Sequence, residues 1–160
     1  MAYARWAGKQ LPTEAQWERA ARIGQEGRRY VWGDRLTPGG IHQANIWQGV
    51  FPTRNTLEDG HAGTAPVRSY PPNSAGLHEL SGNVWEWTAD QFRADTYSVR
   101  VEELNGAVCE NPTGPTRTVD PACPMRQSPA FTRGGPFSAI QTIVRVTGRA
   151  PRCHQRLIPV

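Results

Sequence analysis

The chain has 160 residues, a length that suits one domain, and its mean hydropathy of −0.59 with no long apolar run excludes a membrane-spanning helix. Its net charge of +4 comes from scattered cations, mostly arginines, which give no patch typical of nucleic-acid binding. The cysteines Cys109, Cys123 and Cys153 form no CxxC pair, so no zinc site is expected, although Cys109 and Cys123 could form a disulfide.

Two helices are predicted at the start of the chain. Residues 1–8 predict a short helical turn that ends at Gly8. In LPTEAQWERAARIG, Thr13 suits the N-cap, and Gln16 stands three residues later as its capping-box partner. The apolar face of this second helix consists of Ala15, Trp17, Ala20 and Ala21. The segment YVWGD that follows predicts a short strand or extended piece that ends in a turn.

Residues 36–75 show little regular pattern. Their polar turns are separated by single large apolar residues, among them Trp47, Phe51 and Tyr70. We expect these aromatic residues to anchor an ordered, irregular loop, although so long a loop without regular structure is uncommon in a compact domain. Such a loop often needs a metal ion or many backbone hydrogen bonds to stay ordered.

The segment GNVWEWTAD predicts a β-strand because its side chains alternate in character. Val84, Glu86 and Thr88 fall on one side, and Trp85 and Trp87 fall on the other. We expect the two tryptophans to belong to the core rather than to a cofactor platform.

The later part of the chain is less regular. Residues 91–130 are polar and rich in proline, which predicts a surface insertion. Residues 140–146, IQTIVRV, predict a further strand because most of them are β-branched.

Two groups of residues offer the hard oxygens that calcium prefers, namely carboxylates, amides and backbone carbonyls. The Asn45 group consists of Asn45, the carbonyl of Ile46, Asp59 and the carbonyl of His61. The Glu79 group consists of Glu79, the carbonyls of Gly82 and Val84, and Glu86. From spacing alone, surface acids and turn residues remain the simpler interpretation of both groups.

Other site chemistry has little support in the sequence. The histidines show no HxH or HxxxH pairing and are expected at the surface or in hydrogen bonds; they are His42, His61, His78 and His154. No nucleophile elbow, P-loop or dinucleotide-binding glycine motif is present.

Five segments, taken together and in order, resemble the formylglycine-generating enzymes, also called sulfatase-modifying factors. They are AYARWAGKQLPTEAQWERAAR, YVWGD, QANIWQGVFPTRNTLEDGHAGTAPV, PPNSAGLHELSGNVWEWTAD and TRGGPF. The resemblance is dense over residues 2–90, thins over 91–130 and returns at TRGG.

This resemblance implies one partial domain over residues 1–160, with an α+β, irregular, loop-rich fold that is a variant of the C-type-lectin-like fold. It also implies two calcium sites, at the Asn45 group and the Glu79 group. The family usually has Asn where Glu79 stands. The chain is expected to be incomplete at both ends, since it starts inside the domain and stops before the GFRC segment of the family.

Members of the family oxidise a cysteine in the CxPxR motif of a sulfatase polypeptide to formylglycine, using oxygen and copper. Two cysteines five residues apart bind copper(I), which soft thiolates suit. In an ungapped alignment Ala139 and Val144 stand at these two positions, so the resemblance implies an inactive chain.

A bacterial family member without a visible signal peptide is expected in the cytoplasm. The sequence carries no feature that fixes an oligomeric state.

The genetic code suggests why the cysteines are missing. When codons for residues 135–160 are read one nucleotide earlier, permissive choices give SFLCxxxYCxRYR and then DTGM, which match the bacterial family pattern. The recovered cysteine codons fall beside Ala139 and Val144. We hypothesise that a single-nucleotide deletion near the Gly135 codon put residues 136–160 out of frame.

Two alternative interpretations remain open. The chain could be a non-catalytic, lectin-like binding module or paralogue that holds a protein or peptide. It could also be a structural fragment without a ligand.

Overall fold

The computed structural model describes residues 2–91 and 95–115 and the backbone of residues 130–134. The helices are α1 (Ala2–Trp6), α2 (Glu14–Arg22) and α3 (Thr96–Leu104), with a 3-10 turn at Pro38–Gly40. The strands are β1 (Gly49–Val50), β2 (Arg54–Asn55), β3 (Trp85–Gln91) and β4 (Ala130–Gly134). Long loops join these short elements, as the sequence predicts. None of the helices described is both long and apolar enough to cross a membrane.

The strands form two small sheets. In the first, β1 and β2 are antiparallel, with Gly49 opposite Asn55 and Val50 opposite Arg54. The second consists of β3 and β4. The chain divides into two compact units; the first contains the described residues 2–17, 87–91, 95–115 and 130–131, and the second contains 18–86 and 132–134.

Helix α2 begins with the predicted capping box. The Thr13 N–H donates to Gln16 Oε1 over 2.9 Å, and the Gln16 N–H donates to Thr13 Oγ1 over 3.2 Å. These reciprocal bonds satisfy two backbone donors that the first turn of a helix otherwise leaves without partners. The predicted apolar face is also confirmed, because Ala15, Trp17 and Ala21 are buried.

In the first unit, Asp90 connects three parts of the chain. One carboxylate oxygen accepts the N–H of Glu14 at the start of α2, and the other accepts the N–H of Gly114 over 2.6 Å. Gly114 approaches so closely that a Cβ there would lie 2.6 Å from the Asp90 Cβ. The N–H of Ala89, next to Asp90 on β3, donates to the Pro12 carbonyl over 2.8 Å. The strand, the helix start and the 112–115 loop therefore meet at one carboxylate.

In the second unit, Asn73 holds the loop 71–77 against the end of α2. Its Nδ2 donates to the Ala20 carbonyl over 2.6 Å, while its Oδ1 accepts the N–H groups of Ala75 and Leu77. The neighbouring Ser74 hydroxyl donates to the Ile23 carbonyl over 2.7 Å. These bonds satisfy carbonyls that the last turn of the helix cannot pair internally.

Several sequence predictions need correction. The hairpin β1–β2 and helix α3 were not predicted, because two-residue strands show no periodicity and α3 buries none of its residues. Phe51 is 57% exposed and is not a buried anchor; its ring meets Trp47 edge-on at 5.2 Å. Tyr70, in contrast, is buried as predicted.

The two tryptophans of β3 are also placed differently from the prediction. The period of two is confirmed, but Thr88 occupies the fully buried side, whereas Trp85 and Trp87 are 45% and 59% exposed. A polar strand side can be buried when its groups find hydrogen-bond partners. Alternation alone therefore does not tell which side of a strand faces the core.

Some predictions concern residues outside those described. They are the strand at 140–146, the copper-cysteine positions Ala139 and Val144, the reading frame of 136–160, the histidine His154, and the cysteines Cys123 and Cys153.

We expect Asp90→Ala to lower the free energy of unfolding by about 2 kcal/mol, because two backbone N–H groups lose a charged acceptor. Urea unfolding measures this difference. Glu110→Ala, at an exposed acid of the same unit, is the control and should change stability by less than about 0.5 kcal/mol. Equal effects of the two substitutions would contradict the linking role of Asp90.

Candidate functional site

A buried pair of asparagines organises the second unit. Asn45 is only 1% exposed, and its Nδ2 donates to the Asn83 Oδ1 over 3.1 Å and to the Gly63 carbonyl over 2.8 Å. The Asn83 N–H donates back to the Asn45 carbonyl over 2.9 Å. Asn83 also pairs with the backbone of Ala65 in both directions, at 2.8 and 3.2 Å. Two side-chain amides thus join three loops that share no regular structure.

The Gly82–Asn83 turn permits this close approach. Gly82 and Asn83 have φ values of +77° and +56°, in the left-handed region that glycine and asparagine tolerate best. A Cβ on Gly82 would collide with the Asn45 carbonyl oxygen and crowd the Ile46 side chain. The left-handed backbone conformation therefore favours glycine and asparagine at these two positions. At position 82 the short distance to Asn45 also requires a residue without a side chain.

The structure brings the members of the Asn45 group together. Asp59 accepts the Ile46 N–H at Oδ2 over 2.9 Å and the His61 N–H at Oδ1 over 3.0 Å. Asn45 adjoins Ile46, and its buried Oδ1 has no hydrogen-bond partner among the residues that the structure describes. Leaving a buried carbonyl oxygen unpaired is costly, so this atom marks a place where a further donor or a cation would fit.

Like the Asp59 carboxylate, the backbone carbonyl of Ile46 already has a hydrogen-bond partner. The carbonyl of Ile46 accepts a hydrogen bond from Gln48 Nε2. A cation at this carbonyl would need the oxygen's second lone pair or a movement of the Gln48 side chain.

The Glu79 group lies along the turn that leads into β3. Glu79 has a φ of +50°, which is unusual for a glutamate, and its Oε1 accepts the Tyr70 N–H over 3.4 Å. Gly82 lies against the Asn45 group, Val84 is 47% exposed, and Glu86 is half-buried on β3.

Glu79 also lines an open cavity of about 220 Å³. The cavity walls include Trp32, Pro71 and Leu80. Small ions can therefore reach the Glu79 side chain from solvent.

The described histidines make local contacts. His78 Nδ1 lies 2.9 Å from the Tyr70 carbonyl, and His42 Nε2 lies 3.8 Å from Glu58 Oε2. Within the part of the chain that the structure describes, no three His, Cys, Asp or Glu side chains come close enough together to hold a metal ion. Any cation here would therefore depend on amide and carbonyl oxygens around one or two carboxylates, which is the chemistry of calcium rather than of zinc.

Tyr70 is a residue of this site that the sequence indicates only as a packing anchor. It is 8% exposed, and its ring meets the His61 imidazole edge-on, with centroids 6.3 Å apart. Burial, and then the negative charges of Asp59 and Glu79, raise the pKa of the Tyr70 hydroxyl to about 12. The phenol thus lies within electrostatic reach of one carboxylate from each group.

Comparison with known proteins shows the family to which the chain belongs. The family model described as "Sulfatase-modifying factor enzyme 1-like domain" matches residues 1–156. A formylglycine-generating enzyme of Streptomyces coelicolor is 54% identical over 136 residues, which are 85% of this chain and 38% of that protein. A Bos taurus protein named inactive C-alpha-formylglycine-generating enzyme 2 is 50% identical over 107 residues, which are 66% of this chain and 34% of that protein.

A solved structure shows the same fold. The structure of PvdO from Pseudomonas aeruginosa aligns with a TM-score of 0.51 at 25% identity, over 85% of this chain and 46% of that one. The chain thus spans less than half the length of each of these proteins.

The turn at Gly82 generates a direct prediction. Gly76→Ala should cost about 1 kcal/mol, because Gly76 has a φ of +76° but nothing within 4 Å of an added Cβ. Gly82→Ala has the same backbone strain plus the collision with Asn45, so we expect it to cost about 2 kcal/mol more. Denaturant unfolding of both variants measures the difference, and equal losses would show that the approach to Asn45 does not matter.

Proposed function

Because the chain belongs to the sulfatase-modifying factor family, we propose that it is a formylglycine-generating enzyme domain that keeps the calcium-binding groups of the family and lacks its copper cysteines. Its proposed substrate class is a sulfatase polypeptide, in keeping with the name of the family, and the CxPxR motif comes from the family resemblance. In this proposal the chain is inactive as an oxidase in the form given. Its proposed setting is the bacterial cytoplasm.

The observation that carries the calcium proposal is the buried Asn45 Oδ1, which has no partner among the described residues, next in sequence to Ile46, whose N–H donates to the Asp59 carboxylate. Calcium binds six to eight oxygens at distances that flexible loops can satisfy. The Asn45 group supplies an amide oxygen, a carboxylate and two carbonyls close together in sequence and space. The residues present therefore fit calcium. The positive charge of the ion would hold these loops together.

The Glu79 group would form the second calcium site. It contains two acids where the family usually has an amide and an acid, so it would carry more negative charge than the usual site. The open cavity at Glu79 supports this assignment because it leaves the side chain accessible to ions.

The residues do not fit copper in the same way. Copper(I) in proteins prefers soft thiolate ligands, and Cys109 is the one thiol in the described part of the chain. Ala139 and Val144, which stand at the family's cysteine positions, offer no sulfur. We therefore assign no redox step to this chain.

A frameshift after the Gly135 codon is the proposed cause of this loss. The coding DNA tests it directly: insertion of one base there should create two cysteine codons five apart and an open frame that continues toward GFR. Failure to find both would remove the frameshift proposal and leave the family assignment unchanged.

A second candidate function is a non-catalytic binding module. It is favoured by the likeness to the Bos taurus protein whose name describes it as inactive. Such a module would bind a peptide without oxidising it. Calorimetric binding of a CxPxR peptide without oxygen consumption, in a chain whose DNA shows no frameshift, would favour this candidate.

Calcium binding predicts a change in stability. At a calcium concentration 100 times the Kd, each occupied site should raise the free energy of unfolding by about 2.7 kcal/mol, and chelation should reverse this rise. Asp59→Asn should remove the share contributed by the Asn45 group. Asp34→Asn, at an exposed acid of the same unit, should leave it intact. Thermal melting with calcium and with chelator measures the effect, and an unchanged wild-type melting temperature would contradict calcium binding.

The chain as it stands should consume no oxygen with a CxPxR peptide and copper. When the reading frame is restored in a chain as long as the relatives it matches, activity should return. An oxygen electrode measures both. Oxidation of the peptide by the unaltered chain would contradict the assigned loss of function.

A further inference from the structure

The turn at Asn105 and Gly106 ends helix α3. Asn105 has φ and ψ values of +45° and +43°, and Gly106 has a φ of +86°, so both residues lie in the left-handed region that often closes a helix. Both residues are exposed, and a Cβ added at Gly106 would meet nothing within 4 Å. The Asn105 side chain and the peptide bond that follows it are therefore open to solvent.

Few contacts hold this turn in place. The Asn105 N–H donates to the Glu102 carbonyl over 3.3 Å, and the Ala107 N–H donates to the Leu104 carbonyl over 2.8 Å. Among the described residues, neither the Asn105 side chain nor the Gly106 N–H has a hydrogen-bond partner. Helix α3 buries none of its residues, so opening its last turn exposes no apolar core and costs little free energy.

An asparagine that glycine follows carries its own nucleophile. When the Gly106 amide nitrogen loses its proton, it can attack Cγ of Asn105, so that the N–Cγ bond forms and the Cγ–Nδ2 bond breaks. The displaced nitrogen takes up a proton and leaves as ammonia. Water then opens the cyclic imide at either carbonyl, which gives aspartate or isoaspartate. The reaction needs no reagent other than water, and glycine favours it because no side chain hinders ring closure.

Other asparagines lack one of these features, since Asn105 is the one asparagine of the chain that glycine follows. Asn45 and Asn83 are buried, and both polar atoms of the Asn73 side chain are engaged in hydrogen bonds. Asn111 is exposed and left-handed like Asn105, with a φ of +42°, but the next residue is Pro112, whose nitrogen carries no proton.

We propose that Asn105 is a site of spontaneous deamidation in the folded chain, at which the Gly106 nitrogen displaces the side-chain amide. Each event replaces a neutral amide by a carboxylate and lowers the formal net charge of +4 by one. The new charge stands at the C-terminal end of α3, three residues after Glu102, where both the helix dipole and the neighbouring acid disfavour an anion. Deamidation therefore loosens the end of this helix, and it does so independently of the proposed calcium sites.

The test incubates the full chain in mildly alkaline buffer and follows it by ion-exchange chromatography and peptide mass spectrometry. An acidic form should accumulate, with the mass gain of deamidation in the peptide that contains Asn105. Its formation should be faster at higher pH, because the Gly106 nitrogen must first lose its proton. Asn111 is the internal control and should stay unmodified.

Two variants test the chemistry. Gly106→Ala should slow the modification by about tenfold or more, equivalent to about 1.4 kcal/mol in activation free energy, because a side chain hinders ring closure. Asn105→Gln leaves Gly106 in place and should abolish the acidic form, because closure of the larger ring is slower. An acidic form that persists in Asn105→Gln, or deamidation of Asn111 as fast as that of Asn105, would overturn the role of the Gly106 nitrogen.

A parallel incubation in urea separates the contribution of the fold from that of the sequence. In urea Asn73, which Ser74 follows, should also deamidate because its hydrogen bonds are lost, whereas in the folded chain it should stay intact. If Asn105 is modified in urea but not in the folded chain, the turn does not open and the proposal is wrong.

Discussion

The contact between Asn45 and Asn83 is the interaction on which the second unit depends. It joins the loop at 44–48 to the turn at 82–83, and through Ala65 it fixes a third segment. Few apolar side chains are buried among residues 18–86 of this unit, so their hydrophobic contribution to stability is small. Buried amides that are fully paired can specify one geometry, but an unpaired one is costly. In the calcium proposal, the Asn45 Oδ1, which has no partner among the described residues, is the atom that a cation would satisfy.

The sequence predicts the local features of the fold well and the direction of burial less well. The capping box at Thr13 and the turn at Gly82 depend on neighbouring residues, so short motifs are sufficient to find them. Which side of β3 is buried depends on distant partners, and the strand exposes its tryptophans while Thr88 is buried. Tyr70 shows the same limit, because its burial follows from its aromatic character but its two carboxylate neighbours come from loops 9 and 11 residues away.

The oxygen ligands that suit calcium and the thiolate ligands that suit copper belong to different parts of the sequence. The oxygens that suit a hard cation lie in residues 45–86, which the structure describes and where family motifs are dense. In the proposal, the soft ligands that suit copper belong to the segment after Gly135. A single-nucleotide deletion there would alter that segment and leave residues 45–86 unchanged. The proposal is thus a calcium-binding scaffold whose catalytic segment has been lost.

Hydrogen exchange with and without calcium tests this account most directly. The N–H groups of Ile46, His61 and Asn83 are bonded within or beside the Asn45 group, and an ion there would slow the openings that expose them. We predict that calcium slows exchange in segments 44–48, 59–63 and 79–86 and leaves helix α3 unchanged. Exchange that is equal with calcium and with chelator in these three segments would contradict the account.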